Sequence, residues 1–338
     1  MMILTNGLTE VADEGFLKVA NSLIKRLKCA RQDVKVISYE RRSEITDAFI
    51  QVNKFLSNKS VRDACRKHKE VLYIPFPTRK WVMALRVFLL SFFAERLCVL
   101  LVLRTPIGLL GRFLLKGSRA KIVVLSRDAA DFYGRIVGDR RVIYVKTGVD
   151  TQKFVPVAEE QKEILKKKYG FDPARKLVLH VGHLQEGRNI RHLTEIKDEY
   201  QVLLVTSTLT RDEADQNLKK ALQSRPNIRM IDDYIPDIQE IYQMCDVYFF
   251  PVVESGHCID VPLSCMEAAA CGKPIVTTRF GEMKEWGCVQ GVVYADDLSR
   301  EAIDRGLAEA LSVERPETRK AAEAYDWGNA VAAFDGKL

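Results

Sequence analysis

Short apolar runs alternate along this chain with segments whose apolar residues recur every three or four positions. The runs predict strands near residue 3 and over residues 34–38, 71–74, 97–103, 122–125 and 142–145. A second series is expected over residues 177–182, 202–205, 228–231, 247–250, 275–277 and 292–294. Between the first two strands, Phe16, Leu17, Ala20, Leu23, Ile24 and Leu27 follow a helical period, so residues 14–27 read as a helix. Strands alternating with helices are the signature of βαβ units and a mostly parallel sheet. The pattern breaks at Val149-Asp150-Thr151-Gln152-Lys153-Phe154-Val155-Pro156, before a charged helix over residues 159–168, and this break is read as a linker. Two α/β domains are expected, one over residues 1–155 and one from residue 156 onward. The closing helices, over residues 300–311 and 316–334, have no strand after them.

Length supports the division, because 338 residues exceed what one hydrophobic core usually organises, and 47% apolar with 29% charged residues is ordinary for a soluble protein. The first residues, Met1-Met2-Ile3-Leu4-Thr5-Asn6-Gly7, read as a short strand ending at glycine rather than a secretory leader, so a cytoplasmic protein is expected. Eight cysteines are scattered through apolar stretches with no Cys-x-x-Cys pair, which argues for buried free thiols over a zinc site or a disulfide framework.

Net charge is +7, but the halves differ: 29 Lys and Arg face 14 Asp and Glu in residues 1–155, against 23 and 31 in the remainder. A first half at +15 and a second at −8 suggest that the first half meets something anionic. Residues 81–119 are the most apolar part of that half. Their longest uncharged run, Val87 to Ala94, is eight residues, far short of the roughly 20 that span a bilayer. This segment either packs against its sheet or lies at an anionic membrane surface, peripheral on the inner face. Nucleic acid is not an expected partner, because the cations are spread among helices without interleaved aromatic platforms.

Candidate chemistry gathers in the second half. Phe250 to Val276 reads as a strand, an eleven-residue polar loop, a helix opened by Pro262 and closed by Gly272, and another strand. The helix start, with amides near Leu263 and Ser264, then lies at the carboxyl end of a parallel strand, where open α/β sheets bind ligands and where a helix dipole seats a diphosphate. If that helix begins near Asp260, Asp260 and Glu267 stand two turns apart on one face, and a carboxylate there can accept from two sugar hydroxyls. For Glu267 an exposed helical glutamate is the competing reading. The first turn after the strand over 177–182 runs Gly182-His183-Leu184-Gln185-Glu186-Gly187-Arg188-Asn189. Its glycines allow a tight turn, with His183 and Arg188 projecting as cations for phosphate. The chain lacks a P-loop and a Gly-x-Gly-x-x-Gly after either opening strand, which excludes the commonest nucleotide-hydrolysing and dehydrogenase readings.

These residues together resemble the group 1 glycosyl transferases, glycosyltransferase family 4. Glu267-Ala268-Ala269-Ala270-Cys271-Gly272-Lys273-Pro274-Ile275-Val276 is similar to the family's Glu-Ala-Met-Ala-x-Gly-x-Pro-Val-Val signature, whose glutamate holds the nucleotide ribose. Gly182-His183-Leu184 with Arg188-Asn189 resembles its Gly-Arg-Leu and Lys-Gly segment, which places two cations on the donor phosphates. Lys146 to Phe154 resembles the Asn-Gly-Val-Asp-x-x-x-Phe linker, and Tyr325-Asp326-Trp327 the C-terminal Phe-Ser-Trp. Three departures stand out. His183 replaces an arginine and Arg188 a lysine, so one of the two charges depends on a histidine. The family's first glutamate, eight residues before the second, falls on Ile259, leaving Asp260 or Glu254 to contact the donor sugar, with Asp260 favoured.

The resemblance implies an α/β protein of GT-B fold, two Rossmann-like domains facing a cleft. Residues 1–155 would bind the acceptor and 156–315 the nucleotide sugar, with 316–338 forming a helix that packs back on the first domain. It implies a retaining, metal-independent glycosyltransferase with no cofactor, whose donor is a nucleotide diphosphate sugar and whose acceptor is lipid-linked or a cell-envelope glycan. Arg188, His183, Asp260 and Glu267 are expected as catalytic residues. Gly182, Glu254, Gly256, His257, Val261, Pro262, Leu263 and Ser264 are expected around the donor. The acceptor loop falls on Gly7, Glu14 and Gly15. Two alternatives use the same architecture: a sugar-nucleotide epimerase, and a non-catalytic module that binds a membrane or a partner.

Overall fold

A computed structural model describes residues 1–6, 15–40, 44–76, 80–104, 106–206, 215–254, 256, 258 and 259–335. It divides into two compact units, one formed by Met1–Thr147 together with Trp327–Leu338 and the other by Gly148–Asp326. The sequence reading's linker, Val149 to Pro156, thus falls inside the second unit.

The first unit runs β1 (Met2–Thr5), α1 (Gly15–Ala30), β2 (Lys35–Ser38), β3 (Ala48–Phe49), α2 (Lys59–Lys67), β4 (Glu70–Ile74), α3 (Lys80–Leu90), β5 (Arg96–Leu100), α4 (Leu109–Gly117), β6 (Lys121–Val124), α5 (Arg127–Val137) and β7 (Val142–Tyr144). The second runs α6 (Glu159–Lys168), β8 (Leu177–Val181), β9 (Gln201–Val205), α7 (Gln216–Gln223), β10 (Ile228–Ile231), α8 (Ile238–Met244), β11 (Val247–Phe250), α9 (Leu263–Ala270), β12 (Ile275–Thr277), β13 (Val292–Tyr294), α10 (Arg300–Ser312) and α11 (Thr318–Glu323). The chain ends with α12 (Trp327–Asp335), which belongs to the first unit and packs on α1.

Among the described residues, the first sheet has seven strands in the order β3-β2-β1-β4-β5-β6-β7 and the second six, β10-β9-β8-β11-β12-β13; every pairing is parallel. Parallel strands are covered on both faces, which is why β1, β9 and β11 are buried at every position and read as near-continuous apolar runs, interrupted only by Thr5 at the end of β1 and Gln201 at the start of β9. In each sheet the order reverses once, between β1 and β4 and between β8 and β11, and ligands of such sheets bind beyond the carboxyl ends of the strands at that point. The fold class expected from the sequence, α/β with two Rossmann-like halves, is the one observed.

One detail differs from the sequence reading. Strand β3 was not foreseen: it is a two-residue edge strand, exposed at both positions, so it carries no burial pattern. Helix α2 ends at Lys67, because Glu70 already belongs to β4 and pairs with Arg96 in β5.

The second unit holds a buried ionic cluster behind its sheet. Asp246, just before β11, accepts from Lys166 Nζ at 2.6 Å, Lys162 Nζ at 2.9 Å and the Leu177 amide at 2.8 Å. The side chains of Lys166 and Asp246 are 2% and 3% exposed. Burial raises the Asp246 carboxyl, but hydrogen bonds from Lys166 and Lys162 more than offset it and hold it below its ordinary range.

Candidate functional site

At the switch point of the second sheet, β8 leads into Gly182, and the Gly182 amide donates to Val205 O at 3.0 Å, extending the ladder by one residue. A Cβ on Gly182 would lie 2.9 Å from both Arg188 Nη1 and His180 Nε2. Glycine is therefore required here by close approach of two side chains, and not by the tight turn expected from the sequence. The left-handed position of this loop is taken by Asn189, at φ 57° and ψ 24°, a conformation asparagine tolerates better than most residues. Asn189 Nδ2 donates to Pro251 O at 3.1 Å, tying the loop after β8 to the loop after β11. Half-buried Arg188 ends the single turn Glu186–Arg188, and His183, also half-buried, lies three residues before that turn begins.

The second wall is the loop from Pro251 into α9. Pro251 and Val252 are buried, Val253 and Glu254 are exposed, and Gly256 adopts φ +115° in open space. Ile259, Asp260 and Val261 then turn inward and are buried. His257 lies outside the described residues. Burial pushes the Cys258 thiol up while the nearby Arg188 charge pulls it down, so the loop after β11 comes close to Arg188.

Helix α9 begins at Leu263, with Pro262 as the residue flanking it. Asp260 therefore lies outside the helix, and the expected placement of Asp260 and Glu267 on one helical face does not hold. The Asp260 main chain is held instead from below: its carbonyl accepts from the Glu282 amide at 2.9 Å, and a Cβ on Gly281, at φ +50°, would overlap that oxygen. Because Cys265 N and Met266 N both reach Pro262 O, at 2.9 and 3.2 Å, the amides left for a ligand are those of Leu263 and Ser264. The far end closes as expected: Gly272 at φ +71° donates to Ala269 O at 2.8 Å and Lys273 to Ala268 O at 3.1 Å. A Cβ on Gly148 would lie 3.1 Å from Val261 and 3.2 Å from Leu263, so the segment after residue 147 packs closely against the start of α9.

Glu267 is 5% exposed, not the solvated helical glutamate that was the competing reading. The Tyr242 hydroxyl of α8 donates to Glu267 Oε2 at 2.6 Å. Tyr248 of β11 hydrogen-bonds both Ser264 and Val181 O, the latter at 3.2 Å, and so joins α9 to β8. Burial raises both tyrosines well above the ordinary value and keeps them neutral donors.

His180 completes this floor. Its ring stacks between Tyr248 and Phe250, with centroids 6.2 and 6.3 Å away. Nδ1 lies 2.9 Å from Phe249 O; a carbonyl can only accept, so Nδ1 carries the proton and Nε2 is left as an acceptor. Among the described residues Nε2 is buried without a hydrogen-bond partner, and it faces Gly182 and Arg188. Sequence reasoning passed over His180, Tyr242 and Tyr248; the available signal was one ring nitrogen pair set among four aliphatic residues in β8.

Burial lowers the His180 pKa from 6.5 to about 4. Between those values the unfolded chain binds more protons than the folded one, so stability falls as pH falls through that window and levels off below it. This group is expected to remove roughly 2 kcal/mol of stability between about pH 7 and about pH 5. Denaturant titrations of wild type and His180→Phe at both pH values check it: the variant starts less stable and changes less with acid. Equal changes would refute the assignment.

Of the acceptor residues expected from the sequence, Gly7 and Glu14 lie outside the described residues. Gly15 opens α1 in the first unit. At the carboxyl end of β1, Asn6 is buried, donating to Glu40 Oε1 at 3.0 Å and accepting from the Phe76 amide at 3.1 Å. Among the described residues no group of His, Cys, Asp and Glu is arranged to hold a metal ion, and no helix is long and apolar enough to cross a membrane.

Residues 175–312 match the family described as glycosyl transferases group 1. A transferase from Campylobacter jejuni, N,N'-diacetylbacillosaminyl-diphospho-undecaprenol alpha-1,3-N-acetylgalactosaminyltransferase, is 24% identical over 191 residues. That match covers 52% of this chain and 46% of the relative, so it spans about half of each. A glycosyltransferase structure from Rickettsia africae superposes with TM-score 0.77 at 13% identity, covering 99% of this chain and 97% of the other. Anabaena HepE in complex with UDP gives 0.76 at 13%, covering 100% and 99%. At such identities these likenesses establish the fold, which is GT-B. Over residues 175–312, then, the second unit is similar to the group 1 glycosyl transferases, within a chain of GT-B fold.

Proposed function

We propose that this chain is a retaining glycosyltransferase that needs no metal and moves a sugar from a nucleoside diphosphate to a lipid-linked or cell-envelope acceptor. One observation carries the reading: Arg188 and the open amides of α9 flank the same switch point, joined by the Asn189–Pro251 hydrogen bond and by Tyr248 bridging Val181 and Ser264. A diphosphate seated there meets a cation on one side and a helix amino end on the other. Glu267, held by Tyr242 inside that helix, accepts the ribose hydroxyls. Asp260, buried at the loop's end, faces the donor sugar; exposed Glu254 stands at the loop's outer edge.

In the reaction the bond from the anomeric carbon to the phosphate oxygen breaks as the bond to the acceptor oxygen forms on the same face. The departing phosphate oxygen takes the acceptor's proton. Negative charge grows on that phosphate in the transition state, so fixed donors aimed at it lower the barrier more than they tighten ground-state binding. Arg188, His183 and the Leu263 and Ser264 amides fill this role. The Campylobacter relative's name specifies a diphospho-undecaprenol acceptor, which supports a lipid-linked acceptor here. HepE's complex with UDP makes UDP-sugars the first donors to try.

The test is thermal stabilisation and turnover against UDP, GDP and ADP sugars in the presence of a chelator. One nucleotide series is expected to stabilise the protein by about 3 kcal/mol at roughly a hundred times Kd, and Glu267→Gln to abolish the shift. Turnover without any acceptor would indicate an epimerase. Stabilisation by none of the sugars would leave a non-catalytic binding module.

A further inference from the structure

The segment over residues 81–119, read from sequence as either packed or membrane-facing, is buried in one part and exposed in another. Met83, Ala84, Val87 and Leu90 of α3 are buried in the core of the first unit, and Val82 is buried too. Helix α4 also turns Gly111 and Leu115 inward, where a Cβ on Gly111 would already press on Ile107 and lie 3.6 Å from Ala84. Yet its outer side, which also carries Arg112 and Lys116, presents large apolar residues to solvent: Leu109 is 87% exposed, Leu110 60% and Phe113 75%. Phe92, 57% exposed, continues this surface through its edge contact with Phe88, which in turn abuts Gly117 at the end of α4. Isolated exposed apolar residues are common, but a contiguous cluster of large ones marks an interaction surface.

Beside this face a pocket of about 400 Å³ opens between α4 and α5, lined by Arg112, Phe113, Lys116, Phe132, Arg135 and Ile136. The lining holds three cations and no carboxylate. Among the described residues no ion pair engages any of the three, and Arg112 is braced by its own Nε donating to Ile107 O at 3.0 Å. Large apolar side chains protruding beside a cationic hollow match a bilayer boundary, where anionic phosphodiesters lie just outside the acyl region.

We propose that α4 and the α4–α5 pocket form a docking surface for an anionic phospholipid bilayer. Leu109, Leu110, Phe113 and Phe92 enter the acyl boundary, and Arg112, Lys116 and Arg135 receive a headgroup phosphate. This deepens, and rests on, the reading of a membrane-borne acceptor. It also gives the excess positive charge of the first half a definite partner.

Flotation of the purified chain tests the surface, using vesicles of phosphatidylcholine alone or mixed with phosphatidylglycerol, at low and raised salt, with no sugar nucleotide present. The chain is expected to float with the mixed vesicles only and to be released by salt. Two double variants, Leu110→Asp with Phe113→Asp and Arg112→Glu with Arg135→Glu, are each expected to weaken partition roughly tenfold or more. All four side chains are exposed, so melting temperature and donor-induced stabilisation should stay as in wild type. No flotation with mixed vesicles overturns the proposal, as does equal flotation with both vesicle types or flotation that survives both double variants. Self-association lost in the Phe113 variant, without flotation, overturns it in favour of a second copy of the chain. Because no donor is present, a failure here is distinct from a failure of the transferase reading, which the sugar-nucleotide panel tests separately.

Discussion

Arg188→Ala is expected to lower turnover of the donor sugar by about 10²–10³-fold, the cost of removing one fixed donor from a developing oxyanion. Substrate binding should change less, because the charge that Arg188 meets is greatest in the transition state. The geometry favours a sharp effect. Arg188 ends a short turn anchored through Asn189 to Pro251, and its Nη1 lies 2.9 Å from where a Gly182 Cβ would stand, so the guanidinium sits close against Gly182. Arg188→Lys restores charge but not the planar fork, and partial recovery is expected. Steady-state kinetics on the donor identified by the panel decide the matter. Near-wild-type turnover in Arg188→Ala would remove the residue from the mechanism and shift the burden to His183 and the α9 amides.

Asp246→Ala carries the largest expected loss of stability, about 3–5 kcal/mol, because it leaves the Lys166 ammonium buried without its counter-charge. Lys166 Nζ would keep only the Arg175 and Pro173 carbonyls, at 2.9 and 3.5 Å, and the Leu177 amide would lose its acceptor. Denaturant titration at neutral pH measures the loss. The double variant Asp246→Leu with Lys166→Met should recover much of it, since removing both charges abolishes the desolvation cost that one alone incurs. A loss below about 1 kcal/mol in Asp246→Ala would mean that solvent reaches the cluster and screens it.

Much of the architecture was legible in the sequence. The strand runs, their spacing and the restart near residue 177 all correspond to observed elements, because a parallel strand covered on both faces must be apolar along its length and that demand is local. The end of α9 was equally legible, since Gly272 supplies the left-handed residue that closes the helix. Its beginning was not. Proline suits both the first helical position and the one before it, and here Pro262 stands before it, which carries Asp260 off the helix.

The roles of individual side chains depended on partners distant in the chain. Glu267 is buried and held because Tyr242, twenty-five residues earlier, reaches it. Gly182 is glycine because Arg188 and His180 converge on it, and the left-handed turn expected of glycine falls to Asn189. The apolar residues of 81–119 looked alike in sequence, yet Val87 went into the core while Phe113 went into solvent. Periodicity states that a residue is apolar; only the packing of α3 and α5 around α4 decides which of its faces is left uncovered. The sequence by itself determined the elements, their order and the family signature of the second half, because these follow from local sterics and from burial averaged over a few residues. The tertiary structure decided which carboxylates are buried, which cation meets the switch point and which apolar face lacks a partner, because each depends on contacts that no short window of sequence contains.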